Sequence, residues 1–207
     1  MGNALLLTEK DVRSVLTMPG LIQAMEGALV QFSAGAVRQP VRSVIEVGSD
    51  RAFFGIMPAA LDEPPAVGAK LVTVFENNHK IGLTSHLATI LLLDPNPGAL
   101  TAVMDGRYIT EARTAAVSAV SVKHLSKPDA KVLGILGTGV QARSHLKAIG
   151  HVRRLTDVRV WSPNAAHLDR FVSEMREATD LPVRAAESSA AAVHGADLIV
   201  IASSSRT

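Results

Sequence analysis

Gly137-Thr138-Gly139-Val140-Gln141-Ala142 spells G-x-G-x-x-A between an apolar run and a helical one. That order of residue types suits a pyrophosphate. The first glycine turns the chain tightly, the second lets backbone approach the phosphates, and the small sixth residue lets helix and strand pack closely. The helix N-terminus adds unpaired N–H groups and a partial positive charge. A lone G-x-G-x-x-A is a weak signal, and tight turns of this kind also occur without dinucleotide. Placed strand–turn–helix inside a βαβαβ run, it points to a nicotinamide dinucleotide.

The end of the next strand bears on which dinucleotide. An NAD site usually has Asp or Glu there for the ribose 2′-OH. Here the residues are Val160-Trp161-Ser162-Pro163-Asn164, with no acid; Asp157 is at the other end of the strand and Asp169 is inside the next helix. Ser162 and Asn164 are neutral donors, and Arg170 follows a turn and a half on, so a 2′-phosphate is tolerated. The composition of this strand end favours NADP over NAD. The same residues also read as a strand end and a helix cap. Ser203, heading Ser203-Ser204-Ser205 after a later strand, sits where such folds approach their cofactor, or simply in a polar loop.

Three cations stand in apolar surroundings: Arg42, Lys70 and Arg113. Lys70 lies within Ala66 to Phe75, where strand alternation puts it on one face with Val72 and Val74. A cation in a buried strand needs an anionic partner, and a guanidinium offers a carboxylate a bidentate fork. Each alone reads equally as a snorkelling or surface cation. Three together, ahead of a dinucleotide turn, favour a carboxylate substrate. The seven histidines lack metal-ligand spacing: His79 and His86 straddle a turn, His145 and His151 lie on and after a helix, and His124, His167 and His194 read as helix-end or surface residues. No metal is expected.

The elements that must position these residues follow from periodicity. Thr8 and Asp11 form a capping box at the start of a first segment read as helical. A second helix begins near Met18 with Pro19 in its first turn and ends at Gly35. Short apolar runs at Arg42 to Val47, Ala52 to Pro58, Ala66 to Phe75, Leu87 to Leu93 and Leu100 to Met104 are bounded by turn residues, among them Gly48-Ser49-Asp50. They predict a mostly antiparallel sheet. An Ala-rich helix follows from about Tyr108 to Leu125. Past Ser126 the pattern alternates. Strands are expected at Lys131 to Leu136, Val158 to Trp161, Pro182 to Arg184 and Asp197 to Ala202. Helices are expected at Val140 to Ile149, Ala165 to Glu177 and Ser188 to His194. This predicts a parallel sheet. The expected class is α/β, with an N-terminal α+β substrate-binding and dimerisation domain over 1–126 and a Rossmann-type domain, incomplete at its C-terminus, over 127–207.

Composition removes other classes. The 207 residues include 21 Lys+Arg against 19 Asp+Glu, a formal charge of only +2, and 3% aromatics. Without a basic stripe or stacking platforms, nucleic acid is an unsuited partner. With no Cys there is no disulfide framework and no thiol nucleophile. Apolar runs end well short of the ~20 residues of a membrane span, and the N-terminus lacks a leader pattern. A soluble, cytoplasmic protein is expected.

Four stretches together resemble the ornithine cyclodeaminase/mu-crystallin family. They are Gly55-Ile56-Met57-Pro58-Ala59, Gly68-Ala69-Lys70, Glu111-Ala112-Arg113-Thr114-Ala115-Ala116-Val117-Ser118-Ala119, and Gly134 to Ala142; Ala196-Asp197-Leu198-Ile199-Val200 fits too. The resemblance covers essentially the whole chain. It implies a substrate domain that builds a homodimer, its strands closing into a barrel, and a Rossmann domain for NAD(H) or NADP(H). By motif position, Arg42, Lys70 and Arg113 hold the substrate carboxylate, with Lys70 the catalytic candidate, and Met57 lines the pocket. Thr114 and the turn Gly137, Thr138, Gly139, Val140 and Gln141 contact the cofactor phosphates. The implied partner is a small amino or imino acid.

The implied chemistry is hydride transfer at the α-carbon. It converts ornithine to proline with ammonia release, or reduces a cyclic ketimine such as pyrroline-2-carboxylate. Other implied readings are a non-catalytic NADP(H)- and ligand-binding protein like mu-crystallin, or an inactive truncated fragment. The resemblance places the family's catalytic aspartate and the rest of the sheet beyond residue 207, so a piece of a longer protein is expected.

Overall fold

The computed structural model describes residues 4–48 and 52–203. Ser49 and Asp50 of the expected turn, and Ser204 and Ser205 of the polar stretch, lie outside the described residues. Contacts divide the chain into two compact units. The first holds the described residues up to Thr17 and Gly27–Thr110; the second holds Met18–Glu26 and the residues from Glu111 onward. The changes of unit fall inside two helices, α2 (Met18–Ser33) and α3 (Arg107–Leu125).

In the first unit, α1 (Glu9–Val15) opens with the predicted capping box. The Thr8 side chain accepts from the Asp11 N–H, and the Asp11 carboxylate accepts from the Thr8 N–H at 2.9 Å. Two orphan donors are thereby satisfied. The strand β1 (Leu5–Leu7) corrects the all-helical reading of the first segment. It pairs in parallel with β7 (Leu100–Asp105), through Leu5↔Ala102 and Leu7↔Met104. A three-residue apolar run carries no period that separates strand from helix.

Between them run β2 (Val37–Arg38), β3 (Ser43–Val47), β4 (Ala52–Asp62), β5 (Pro65–Val74) and β6 (His86–Leu93). The sheet order is β1-β7-β6-β5-β4-β2, with β3 also on β4. All pairings except β1–β7 are antiparallel, as the turn-bounded runs predict. Asn77 and Asn78 lie in a short 3₁₀ helix over Glu76–Ile81. Glu9 of α1 accepts from the Arg107 guanidinium, and Arg13 stacks over the Tyr108 ring at 3.8 Å. These contacts fasten α1 to the first turn of α3.

The second unit carries a four-stranded parallel sheet in the order β10-β9-β8-β11, from β8 (Val132–Leu136), β9 (Asp157–Trp161), β10 (Val183–Ala185) and β11 (Leu198–Ile201). Helices α4 (Val140–Gly150), α5 (Ala165–Ala178) and α6 (Ser189–Val193) connect them in turn. Leu133, Ile135, Leu146, Val158, Val160 and Phe171 are fully buried in its core. Burial on both faces of β8 fits its unbroken apolar run, whereas β9 alternates buried Val158 and Val160 with a partly exposed Arg159, and β11 leaves Ile199 and Ile201 exposed.

Helix α3 belongs mostly to this unit. Its buried face is Ala112, Ala115, Ala116, Ala119 and Val120, with Val117 only half-buried. Arg153 donates to the carbonyls of Val122 and Lys123 near its end, at 2.8 and 3.0 Å. Glu26 of α2 accepts from Lys123 at 2.8 Å and also bonds His124. No helix among the described residues is long and apolar enough to cross a membrane.

Candidate functional site

The glycine turn sits where the order of the parallel sheet reverses. β9 and β10 lie to one side of β8 and β11 to the other, and in open α/β sheets such a switch point is the ligand crevice. Gly137 has φ +112°, in the region that only glycine adopts readily. A Cβ there would lie 2.4 Å from the Ala202 carbonyl oxygen and 3.0 Å from the Ser203 nitrogen. The chain leaving β11 thus passes directly against the turn leaving β8. Gly137 N–H donates to the Trp161 carbonyl, and Ala202 N–H donates to the Leu136 carbonyl. Ser203 is therefore beside the turn, exposed, as its position after the strand predicts.

Gly139 plays a different part. It is the N-cap of α4 with φ −80°, an ordinary conformation, and makes no side-chain cap. Nothing lies within 4 Å of where its Cβ would be. The first N–H groups of α4 therefore receive no side-chain cap from Gly139. Gln141 adds a buried Oε1 with no hydrogen-bond partner. The open space at Gly139 and the helix N-terminus without a side-chain cap fit a dinucleotide pyrophosphate, whereas the Gln141 oxygen, an acceptor, suits a donor rather than an anion. Arg143 braces the turn from behind. It donates to the Thr138 carbonyl and to Glu174 of α5 at 2.8 Å, and lies 5.0 Å from the Phe171 ring centre.

At the end of β9, Ser162 Oγ accepts from the Asn164 N–H at 3.4 Å, and Asn164 Oδ1 accepts from the His167 N–H at 3.0 Å. Asn164 thus caps α5 through its Oδ1. Asp157, at the opposite end of the strand, is paired with Arg184 and Arg159. The Arg184 hydrogen bond lowers its carboxyl pKa, against burial, and Arg159 adds to the lowering. The strand end that would meet a ribose, Trp161 to Asn164, carries no carboxylate.

Two substrate candidates of the first unit are cross-strand neighbours. Met57 of β4 is directly opposite Lys70 of β5, which is opposite Ile90 of β6. Arg42 immediately precedes β3, whose Ser43 pairs with Ile56. Arg42 lies just outside that ladder and is exposed. Cross-strand neighbours share a face of the sheet, so Met57 and Lys70 form a thioether–cation pair. Arg113 and Thr114 lie on α3 in the second unit, both half-buried. Among the described residues no three His, Asp or Glu side chains gather to hold a metal ion.

One pair escaped the sequence. His145 of α4 bonds the Gln141 carbonyl through Nδ1 at 2.7 Å and Ser118 of α3 through Nε2 at 3.0 Å. Only the i, i+4 spacing of Gln141 and His145 hints at it.

A family model described as the ornithine cyclodeaminase/mu-crystallin family matches residues 3–207. Ketimine reductase mu-crystallin of Rattus norvegicus is 43% identical over 183 residues, 87% of this chain and 57% of that protein. A Delta(1)-pyrroline-2-carboxylate reductase of Bacillus cereus is 30% identical over 203 residues, 98% of this chain and 62% of that protein. The solved Thermococcus litoralis Delta(1)-pyrroline-2-carboxylate reductase, in complex with NADH and L-proline, superposes with a TM-score of 0.90 at 36% identity. It covers 95% of this chain and 61% of the other. The chain thus spans less than two thirds of the length of each. It belongs to the ornithine cyclodeaminase/mu-crystallin family.

Proposed function

We propose that this member of the ornithine cyclodeaminase/mu-crystallin family is a nicotinamide-dependent ketimine reductase acting on a small cyclic imino acid such as pyrroline-2-carboxylate. The observation that carries it is the open, uncapped cradle at Gly139, at the switch point of a parallel sheet. The relatives support the substrate class, since two of those described act on pyrroline-2-carboxylate and the third is a ketimine reductase. The functional division that goes with it is substrate binding and dimerisation over 1–126 and dinucleotide binding over 127–207.

When bound, the reduced nicotinamide supplies the hydride that converts the C=N carbon beside the carboxylate into an amino-acid α-carbon, while the nitrogen takes a proton. The protein's part is orientation. Arg42, Lys70 and Arg113 are the carboxylate clamp, and Met57 gives the pocket an apolar wall. Gly139, Val140 and Gln141 present N–H groups to the pyrophosphate, with Thr138 and Thr114 beside it. Ser162, Asn164 and Ser203 frame the ribose side. The strand end without a carboxylate at Ser162 to Asn164 supports NADP over NAD. The fully exposed β3, with Val44 and Ile45 more than half exposed, supports a homodimer formed through this edge. We place the protein in the cytoplasm.

The test is a fluorescence titration of the purified protein with NADPH and NADH, with and without pyrroline-2-carboxylate. We expect binding of both, tighter for NADPH, and oxidation of the cofactor only when the imino acid is present. Binding without oxidation would reduce the role to cofactor or ligand binding. Binding of neither would overturn the proposal.

A further inference from the structure

His145 and Ser118 lie away from the glycine turn, yet their hydrogen bonds run to residues of both groups assigned to the cofactor. A carbonyl only accepts, so at 2.7 Å from the Gln141 oxygen Nδ1 of His145 must carry the proton. Nε2 then faces Ser118 Oγ at 3.0 Å, and the single Ser118 hydroxyl proton is shared between that nitrogen and the Thr114 carbonyl at 3.3 Å, one turn earlier in α3, as a bifurcated donor. The path Gln141–His145–Ser118–Thr114 therefore joins the first turn of α4 to the turn of α3 that carries Thr114. It runs beside a groove of about 360 Å³ whose other walls include Val117, Ile149, Leu198 and Val200.

Apolar side chains would pack such a wall at lower cost, because a half-buried imidazole and hydroxyl must be desolvated and held in one geometry. The two helices are already joined at their far ends, where Arg153 donates to Val122, Lys123 and Ser126. A single tie leaves one helix able to pivot on the other. A second tie, near the N-terminus of α4, removes that pivot. It does so where a shift would move the pyrophosphate cradle against Thr114.

We propose that His145 and Ser118 are positioning residues for the dinucleotide, their hydrogen-bonded bridge setting the first turn of α4 relative to Thr114 on α3. The assignment rests on the proposed cofactor site at the Gly137 to Gln141 turn. They act through Gln141 and Thr114.

The experiment is a fluorescence titration of NADH and NADPH against wild type, Ser118→Ala, Ser118→Thr, His145→Phe, the double variant Ser118→Ala/His145→Phe, and Gly139→Val. The expected result is a roughly tenfold rise in Kd for Ser118→Ala and for His145→Phe, and no further rise in the double variant, since the two act as one unit. Ser118→Thr, which keeps the hydroxyl, stays within about twofold of wild type. A merely structural role would lower the melting temperature in each variant without this rescue and without this non-additivity. Ser118→Ala removes a single oxygen and carries the test should His145→Phe fail to fold. Unchanged Kd in Ser118→Ala, or equal loss in Ser118→Thr, overturns the positioning role while wild type binds and Gly139→Val does not. A wild type that binds neither dinucleotide, or a Gly139→Val that binds normally, overturns the cofactor site and this role with it.

Discussion

Lys70 is flanked in its row by Met57 on one strand and Ile90 on another, so an incoming carboxylate would meet its charge among apolar neighbours. In such surroundings a charge-assisted hydrogen bond contributes about 1.5–3 kcal/mol. Lys70→Met should therefore raise KM for pyrroline-2-carboxylate by about 10- to 100-fold. Dinucleotide Kd should stay as in wild type; steady-state kinetics and fluorescence titration check the two sides. Loss of dinucleotide binding in this variant would take Lys70 out of the substrate clamp.

Asp157 makes a different prediction at the same scale. The Arg184 hydrogen bond is the largest influence on its carboxyl; burial opposes it, Arg159 reinforces it, and the folded-state pKa is lowered. A lowered pKa stabilises the fold above the unfolded value of about 3.9, and that contribution is lost as pH falls through the folded one. Asp157→Asn should cost about 0.5–1 kcal/mol at pH ~7, allowing for the solvent screening of a partly exposed pair. The gap to wild type should close in the acid range, below about pH 4. Urea unfolding across that range measures it.

At the scale of elements, the two glycines of one turn separate folding from binding. Gly137 is held at positive φ with the β11 exit against it, so Gly137→Ala forces a Cβ into the Ala202 carbonyl. That variant should lose about 2–4 kcal/mol of stability, from left-handed strain plus the clash, seen as a lower melting temperature of the second unit. Gly139 has ordinary backbone angles and open space around it. Gly139→Val should melt close to wild type and yet lose dinucleotide binding, because its side chain occupies the cradle. If both variants behaved alike, the division of labour within the turn would be refuted. Helix α3 repeats the point on a larger element. Its alanine face packs into the second unit, while Arg107 at its start pairs with Glu9 in the first.

For the molecule as a whole, the exposed edge at β3 bears on assembly. Ile45→Glu places a charge at the proposed dimer contact and should shift the protein toward monomer in size-exclusion chromatography with light scattering; an unchanged mass would remove β3 from the interface. Much of this architecture was legible in the residues. The capping box at Thr8, the helix from Met18, the antiparallel block, the parallel block and the glycine turn are each written within a few consecutive residues, where period, caps and punctuation act. Those local rules already determined two structural classes in one chain and a glycine turn between a strand and a helix. Tertiary structure alone decided that Leu5–Leu7 is a strand, since its partner β7 lies at the far end of the first unit. It also decided that Met57, Lys70 and Ile90 share a row, which depends on the register of three strands. Likewise it decided that Gly137 must be glycine because of Ala202, and that His145 reaches Ser118. The physical reason is common to all four. Each depends on contacts between residues distant in sequence, and only the folded backbone brings those partners within reach of a hydrogen bond or a clash.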